Sequence, residues 1–326
     1  MTQERESFPG SDERVLRKVV ICAAITGAAH APTMSDYLPL TPKQVIDDAV
    51  GAYEAGAAMV HIHARRPEDG LPTPDLKIFR EILSGIKSRC NAVIIPTTGG
   101  AGNLEERIAV VPEFKPEMAT LNLGSMNMGG MIAERRSDRV VKYKFAWEEE
   151  RAKNSIIGER IWQNSFKQIR EYATIDKEHG TKPELEIWDL GQIGAIEYLL
   201  KQDLLQHPVR IQFVMGAGTG MPATLPALQV ALEECRRRIG TTDYNWSVCV
   251  AGRDQFPIAA HTLAMGGHVR VGLEDNLYCG YGRMAKSSGE QVERIVAMAR
   301  PLSIKPATPD EARQILGLKG SDKVNF

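Results

Sequence analysis

Eight short, mostly apolar runs recur along the chain, each followed by a stretch of helical periodicity or a loop with room for one. They read VVICAAIT (19–26), AMVHIHA (58–64), AVIIPTT (92–98), MATLNLGS (118–125), ELEIWDLG (184–191), RIQFVMG (210–216), WSVCVAG (246–252) and HVRVGLED (268–275). Most lack strict polar–apolar alternation, as parallel strands buried on both faces do. The intervening segments carry helix signals. LTPKQVIDDAVGAYEAGA offers Thr41 as N-cap, Pro42 at the first helical position, and an apolar stripe of Val45, Ala49, Ala52 and Tyr53. Leu76, Phe79 and Ile82 repeat the pattern, and TPDEARQILGLKG is a last capped helix ending at a glycine. Such alternation implies a parallel sheet covered by helices. Eight units in 326 residues favour a closed (β/α)8 TIM barrel over an open doubly wound sheet. No GxGxxG follows the first run, which weakens a dinucleotide-binding reading.

Residues 1–16 are polar and charged and read as a flexible N-terminal arm; 17–326 are expected to form the single barrel domain. The longest connection, roughly 126–183, is highly charged with helical periodicity in its second half. It reads as an enlarged excursion after the fourth strand, suited to a lid or an oligomer contact. A formal net charge of −1 argues against nucleic acid or an anionic membrane as the main partner. No apolar run approaches the length of a membrane span, and the N-terminus lacks the apolar core of a secretory signal. The five cysteines include no CxxC, and Cys22, Cys90 and Cys249 lie in or beside apolar runs, as thiols of a reducing compartment would. A cytoplasmic homo-oligomer, a tetramer, is expected.

A barrel places its chemistry at the C-terminal ends of its strands, which makes polar residues there informative. His61 and His63 are two apart on the second strand, so their side chains share a face. Both imidazoles could reach one metal ion; equally, they could be two buried, hydrogen-bonded histidines. The eighth run ends with Arg270, Glu274 and Asp275. A carboxylate there could complete a His2Glu site with positions open to substrate, the arrangement expected of catalytic zinc. Otherwise the two acids open a loop paired with surface bases. The first strand ends at Thr26, Gly27 and His30; the third at Thr97, Thr98, Gly99 and Gly100; the fourth at Thr120 and Asn122. Glu184 and Glu186 share a face of the fifth strand and call for a cationic partner, for which Arg270 is the candidate.

Together these residues resemble the β-keto acid cleavage enzymes, typified by 3-keto-5-aminohexanoate cleavage enzyme, from about Val19 to Leu318. AAITGA, EAGAAMVHIHAR, TTGGA, KPEMATLN, IQFVMG and GGHVRVGLEDN carry the likeness, with HIH and GLED the strongest pair. The resemblance implies a TIM barrel, a catalytic Zn2+, and condensation of a β-keto acid with acetyl-CoA to give acetoacetate and a new acyl-CoA. It implies His61, His63 and Glu274 as metal ligands, Asp275, Arg270 and Glu186 as catalytic residues, and Thr97, Gly100 and Thr120 as substrate contacts. Arg253 and the glycine-rich ends of strands six and seven are expected CoA contacts. One position departs from the type enzyme: where it has a glutamate for the substrate's amino group, this chain has Ala29, followed by His30. An uncharged or anionic substrate tail is therefore expected, with His30 near it. A metal-dependent aldolase or lyase working without CoA is the alternative on the same fold. A non-catalytic protein with a structural zinc is the other, although structural sites favour cysteine and no cysteine lies near the histidines in sequence.

Overall fold

The computed structural model describes residues 17–128, 142–157, 161–240 and 244–326. All eight expected strands form: β1 (Ile21–Ala24), β2 (Met59–Ile62), β3 (Val93–Pro96), β4 (Met118–Asn122), β5 (Lys182–Ile187), β6 (Val209–Met215), β7 (Tyr244–Val250) and β8 (His268–Val271). They are parallel, in the order β3-β2-β1-β8-β7-β6-β5-β4. At the remaining seam, the Thr98 N–H donates to Thr120 Oγ1 at 3.1 Å and the Thr98 hydroxyl donates to the Thr120 carbonyl. The result is a nearly closed (β/α)8 barrel, as the alternation predicts. The expected first run is split: Lys18–Val19 leaves the barrel to pair with Lys305–Pro306.

Local signals set the helices. Thr41 caps Pro42–Glu54 in a capping box with Gln44, Asp75 caps Leu76–Lys87, and Thr308 caps Pro309–Leu316. This last helix lies under the barrel. Its Ala312 and Leu316 pack with Val20, Cys22, Met59, Val93, Ile95 and Met118, which closes the N-terminal end. Lys182 reaches down from β5 to donate to the carbonyls of Pro208 and Leu316, at 3.0 and 2.7 Å. All five cysteines are free. Among the described residues no helix is long and apolar enough to cross a membrane.

The N-terminal arm lies outside the described residues, as do 129–141 and 158–160 of the excursion after β4. Within the described part, Met126–Asn127 pairs antiparallel with Ile161–Trp162. Between them, helix Ala146–Ile157 packs on the loops after β1 and β2. Glu148 is buried and accepts the Thr33 N–H at 3.0 Å, and the Trp147 indole N–H donates to the Asp69 carbonyl at 3.1 Å. The excursion thus reaches from the fourth strand across to the first two.

Candidate active site

The barrel interior is polar on the side formed by β5 to β8. Alternation points Glu184 and Glu186 inward from β5, Arg210 and Gln212 from β6, and Arg270 from β8, all of them buried. The guanidinium expected to serve both glutamates serves one. Arg270 Nη1 lies 3.6 Å from Glu186 Oε1, whereas Glu184 pairs with Arg210 Nε at 3.2 Å. The correction follows from register: Glu184 stands directly beside Arg210 on the neighbouring strand. Gln212 spans the two carboxylates, donating to Glu184 at 3.3 Å and to Glu186 at 3.4 Å.

At the mouth, β2 and β8 converge. His61 Nε2 and His63 Nε2 lie 3.5 and 3.3 Å from Glu274 Oε1. One ligand atom from each of these three residues lies within 4.8 Å of the others, close enough to share one ion. Burial would raise the Glu274 carboxyl, but Arg270 and the two imidazoles outweigh it and hold the group well below its ordinary range. Burial holds His63 below its ordinary value against the pull of Glu274. A neutral imidazole and an ionised carboxylate are the states that bind metal. Glu274 Oε2 is buried and has no hydrogen-bond partner among the described residues. Around this point four carboxyl groups (Glu184, Glu186, Glu274, Asp275) face two guanidiniums (Arg210, Arg270), so acids outnumber the cations that serve them. The donor set fits a divalent cation.

Arg270 organises the rest. Its Nε and Nη2 each donate to Asp275 at 2.9 Å, a two-pronged grip, and Nη2 also donates to Glu274 at 2.6 Å. Burial would lower the Arg270 guanidinium, but Asp275 and its other anionic neighbours keep it well above its ordinary value. Burial pushes Glu186 from an ordinary 4.5 up to about 7, with Arg270 opposing. Asp275 is buried, and Arg270 fixes the orientation of its carboxylate.

The other expected site residues fall around this centre. Gly100 has φ +89°, and a Cβ there would lie 2.7 Å from His63 Nδ1, so only glycine lets the loop pass the ring. Thr97 Oγ1 accepts the Gly99 N–H at 2.8 Å. Thr120 is buried, and its Oγ1 takes the seam bond from Thr98, which leaves its hydroxyl hydrogen as the group it can offer. His30 donates from Nδ1 to the Leu273 carbonyl at 2.9 Å, next to Glu274. Arg253 is not gathered into the cluster: its side chain is 90% exposed, although the preceding Gly252 N–H donates to the Asp275 carbonyl at 2.9 Å. It stands on the rim. Arg65 was missed. This fully buried side chain gives hydrogen bonds to Thr26 Oγ1 and to the carbonyls of Thr26, His30 and Gly70, and so orders the loop carrying His30. Its sequence signal was an arginine closing HIHAR, directly behind two buried histidines.

Fold and site define a barrel protein whose mouth can hold a divalent cation beside an arginine-clamped aspartate. The chain belongs to the β-keto acid cleavage enzyme family, which it matches over residues 18–318. It is 40% identical to a 3,5-dioxohexanoate:acetyl-CoA acetone transferase from Paraburkholderia graminis, over 95% of this chain and 99% of that one. It is 38% identical to a 3-keto-5-aminohexanoate cleavage enzyme from Fusobacterium nucleatum, over 94% of this chain and 100% of that one. Among solved structures, a ternary complex of ObcA with a C4-CoA adduct and oxalate superposes with a TM-score of 0.68 at 19% identity, covering 87% of this chain and 68% of that one, a likeness of fold.

Proposed function

We propose that the protein transfers an acyl group between a β-keto acid and acetyl-CoA, releasing acetoacetate and a new acyl-CoA. The observation that carries this reading is the cluster of His61, His63 and Glu274 set against the Arg270–Asp275 pair, in a chain of this family. His61, His63 and Glu274 would hold a divalent ion, Zn2+ by the chemistry of the donors. When bound, it would supply Lewis acidity toward the keto and carboxylate oxygens of the substrate.

The chain's own residues then account for the proton and for orientation. Asp275 takes the proton from the carbon between the two carbonyl groups; Arg270 keeps that carboxylate aimed. The carbanion forms a bond to the acetyl carbonyl carbon, and the CoA thiolate leaves. The thiolate then adds to the original keto carbon, and the bond between that carbon and the central carbon breaks. One new acyl-CoA results, and Asp275 returns the proton to give acetoacetate. Glu186 holds Arg270 from the opposite side, and Thr97, Thr120 and the backbone N–H of Gly100 would orient the carboxylate and the developing oxyanions. Arg253 and the loops ending β6 and β7 would meet CoA at the rim. Ala29 offers no acceptor to a substrate ammonium, so an uncharged or anionic tail is preferred, with His30 beside it.

A panel of β-keto acids, each with and without acetyl-CoA, tests the reading. Acetoacetate formed only when both are present is the expected result. Cleavage of any of them at the same rate without CoA would replace it with a lyase.

A further inference from the structure

The loop after β3 runs between two rings. A Cβ on Gly100 would lie 2.8 Å from His63 Cε1, and one on Gly99 would lie 3.6 Å from Cζ2 of Trp162. The same point on Gly99 lies 3.3 Å from Thr97 Oγ1 and 3.8 Å from Asn122 Nδ2. The indole is therefore separated from a candidate metal ligand by the thickness of one Gly–Gly peptide, at the depth of the strand ends. Trp162 comes from the excursion after β4, delivered by the pairing of Ile161–Trp162 with Met126–Asn127. A second indole, Trp188 at the end of β5, donates from Nε1 to Asn122 Oδ1 at 2.9 Å. Both indoles are half-buried.

Against Trp162 stands Arg107. Its guanidinium covers the indole at 4.3 Å from the ring centroid. It donates to the Thr98 carbonyl at 2.7 Å, the Gln163 carbonyl at 3.2 Å and Asn164 Oδ1 at 2.8 Å. Arg107 thus props the ring, with all three of its nitrogens turned to protein oxygens.

We propose that Trp162 is the specificity wall for the acyl tail of the β-keto acid, and that it selects an uncharged, apolar tail. The proposal rests on the β-keto acid reading above and narrows the substrate class within it. An ammonium tail is disfavoured because the indole already carries a guanidinium on its π-system, whose charge repels a second cation. A carboxylate tail would be drawn to the Arg107 charge, but it must shed its hydration to lie against the indole, a cost that an apolar tail does not carry. An apolar tail gains by leaving water for the indole surface. The CoA adenine is a poor occupant for this wall, because the whole pantetheine arm separates it from the thioester that must react beside His63.

The test compares full-length wild type with Trp162→Ala and Trp162→Phe on β-keto acids bearing ethyl, propyl, carboxylate-terminated and ammonium-terminated tails, with acyl-CoA product as readout. Wild type should favour the propyl tail over both charged tails by at least about tenfold in kcat/KM, within the range a hydrophobic pocket achieves. Trp162→Ala should lower kcat/KM about tenfold for the propyl tail, chiefly through KM, and less for the ethyl tail, while Trp162→Phe retains most of the preference. Equal losses on every tail, or none, would overturn the assignment, as would a wild type that prefers a charged tail. That wild-type ranking decides even where Trp162→Ala does not fold. A wild type inactive on every tail would instead remove the β-keto acid reading, and the tail assignment with it.

Discussion

Replacing Arg270 with methionine keeps much of the side-chain volume and removes the charge that three carboxylates share. The guanidinium touches Asp275 at 2.9 Å, Glu274 at 2.6 Å and Glu186 at 3.6 Å. At an effective dielectric constant of about 20, each contact of this kind is worth roughly 4 kcal/mol before desolvation is counted. Breaking a buried ion pair by deleting one partner costs about 3–5 kcal/mol net, a large share of the roughly 5–15 kcal/mol that stabilises a folded protein. The loss should depend on pH, with a sign the site dictates. Glu186 already sits at about 7 in the fold against an ordinary 4.5, so its contribution to stability is present below 4.5 and is lost as pH rises through 7. Without Arg270 its value climbs further, so the penalty grows toward alkaline pH. Urea unfolding of metal-stripped wild type and Arg270→Met should therefore show a deficit of about 3–5 kcal/mol near pH 8 that shrinks markedly near pH 5. A deficit below about 1 kcal/mol near pH 8, or one equal at both pH values, would refute the account of the cluster.

His61→Ala should fold normally by circular dichroism and lose its bound metal by elemental analysis; full occupancy would remove His61 from the site. Asp275→Asn should keep metal and acetyl-CoA binding while kcat falls by about a hundredfold or more, and a near-normal kcat would move the base elsewhere, with Glu186 next in line. Ala29→Glu should raise kcat/KM for an ammonium-tailed β-keto acid relative to a neutral one; an unchanged ratio would show that this loop does not set tail charge.

The barrel was legible because each strand carried its own signal: apolar runs without alternation, then capped helices at Thr41, Asp75 and Thr308. His61, His63 and Glu274 were legible for a related reason. Two-residue spacing fixes a shared face, and strand-end acids in a barrel must face the mouth. Partnerships across strands were harder to read. Arg210 and Gln212 have the inward parity of Glu184 and Glu186, but the pairing of Glu184 with Arg210 depends on register between β5 and β6. Two polar residues inside VRIQFVMG were the available signal. The last helix was read as a helix, whereas its position under the barrel comes from the contacts of Ala312 and Leu316 with strand residues as far back as Val20. Arg107 and Trp162 meet only because the excursion returns to the mouth, which local periodicity does not encode.

Transfer between two acyl groups is the central claim, and carbon tracing tests it most directly. The enzyme is incubated with an unlabelled β-keto acid and acetyl-CoA carrying heavy carbon in the acetyl group, and both products are analysed by mass spectrometry. Acetoacetate carrying the acetyl label in its keto half, together with an unlabelled new acyl-CoA that bears the substrate's tail, is the predicted result. Unlabelled acetoacetate, or label retained on CoA while the β-keto acid is consumed, would contradict it.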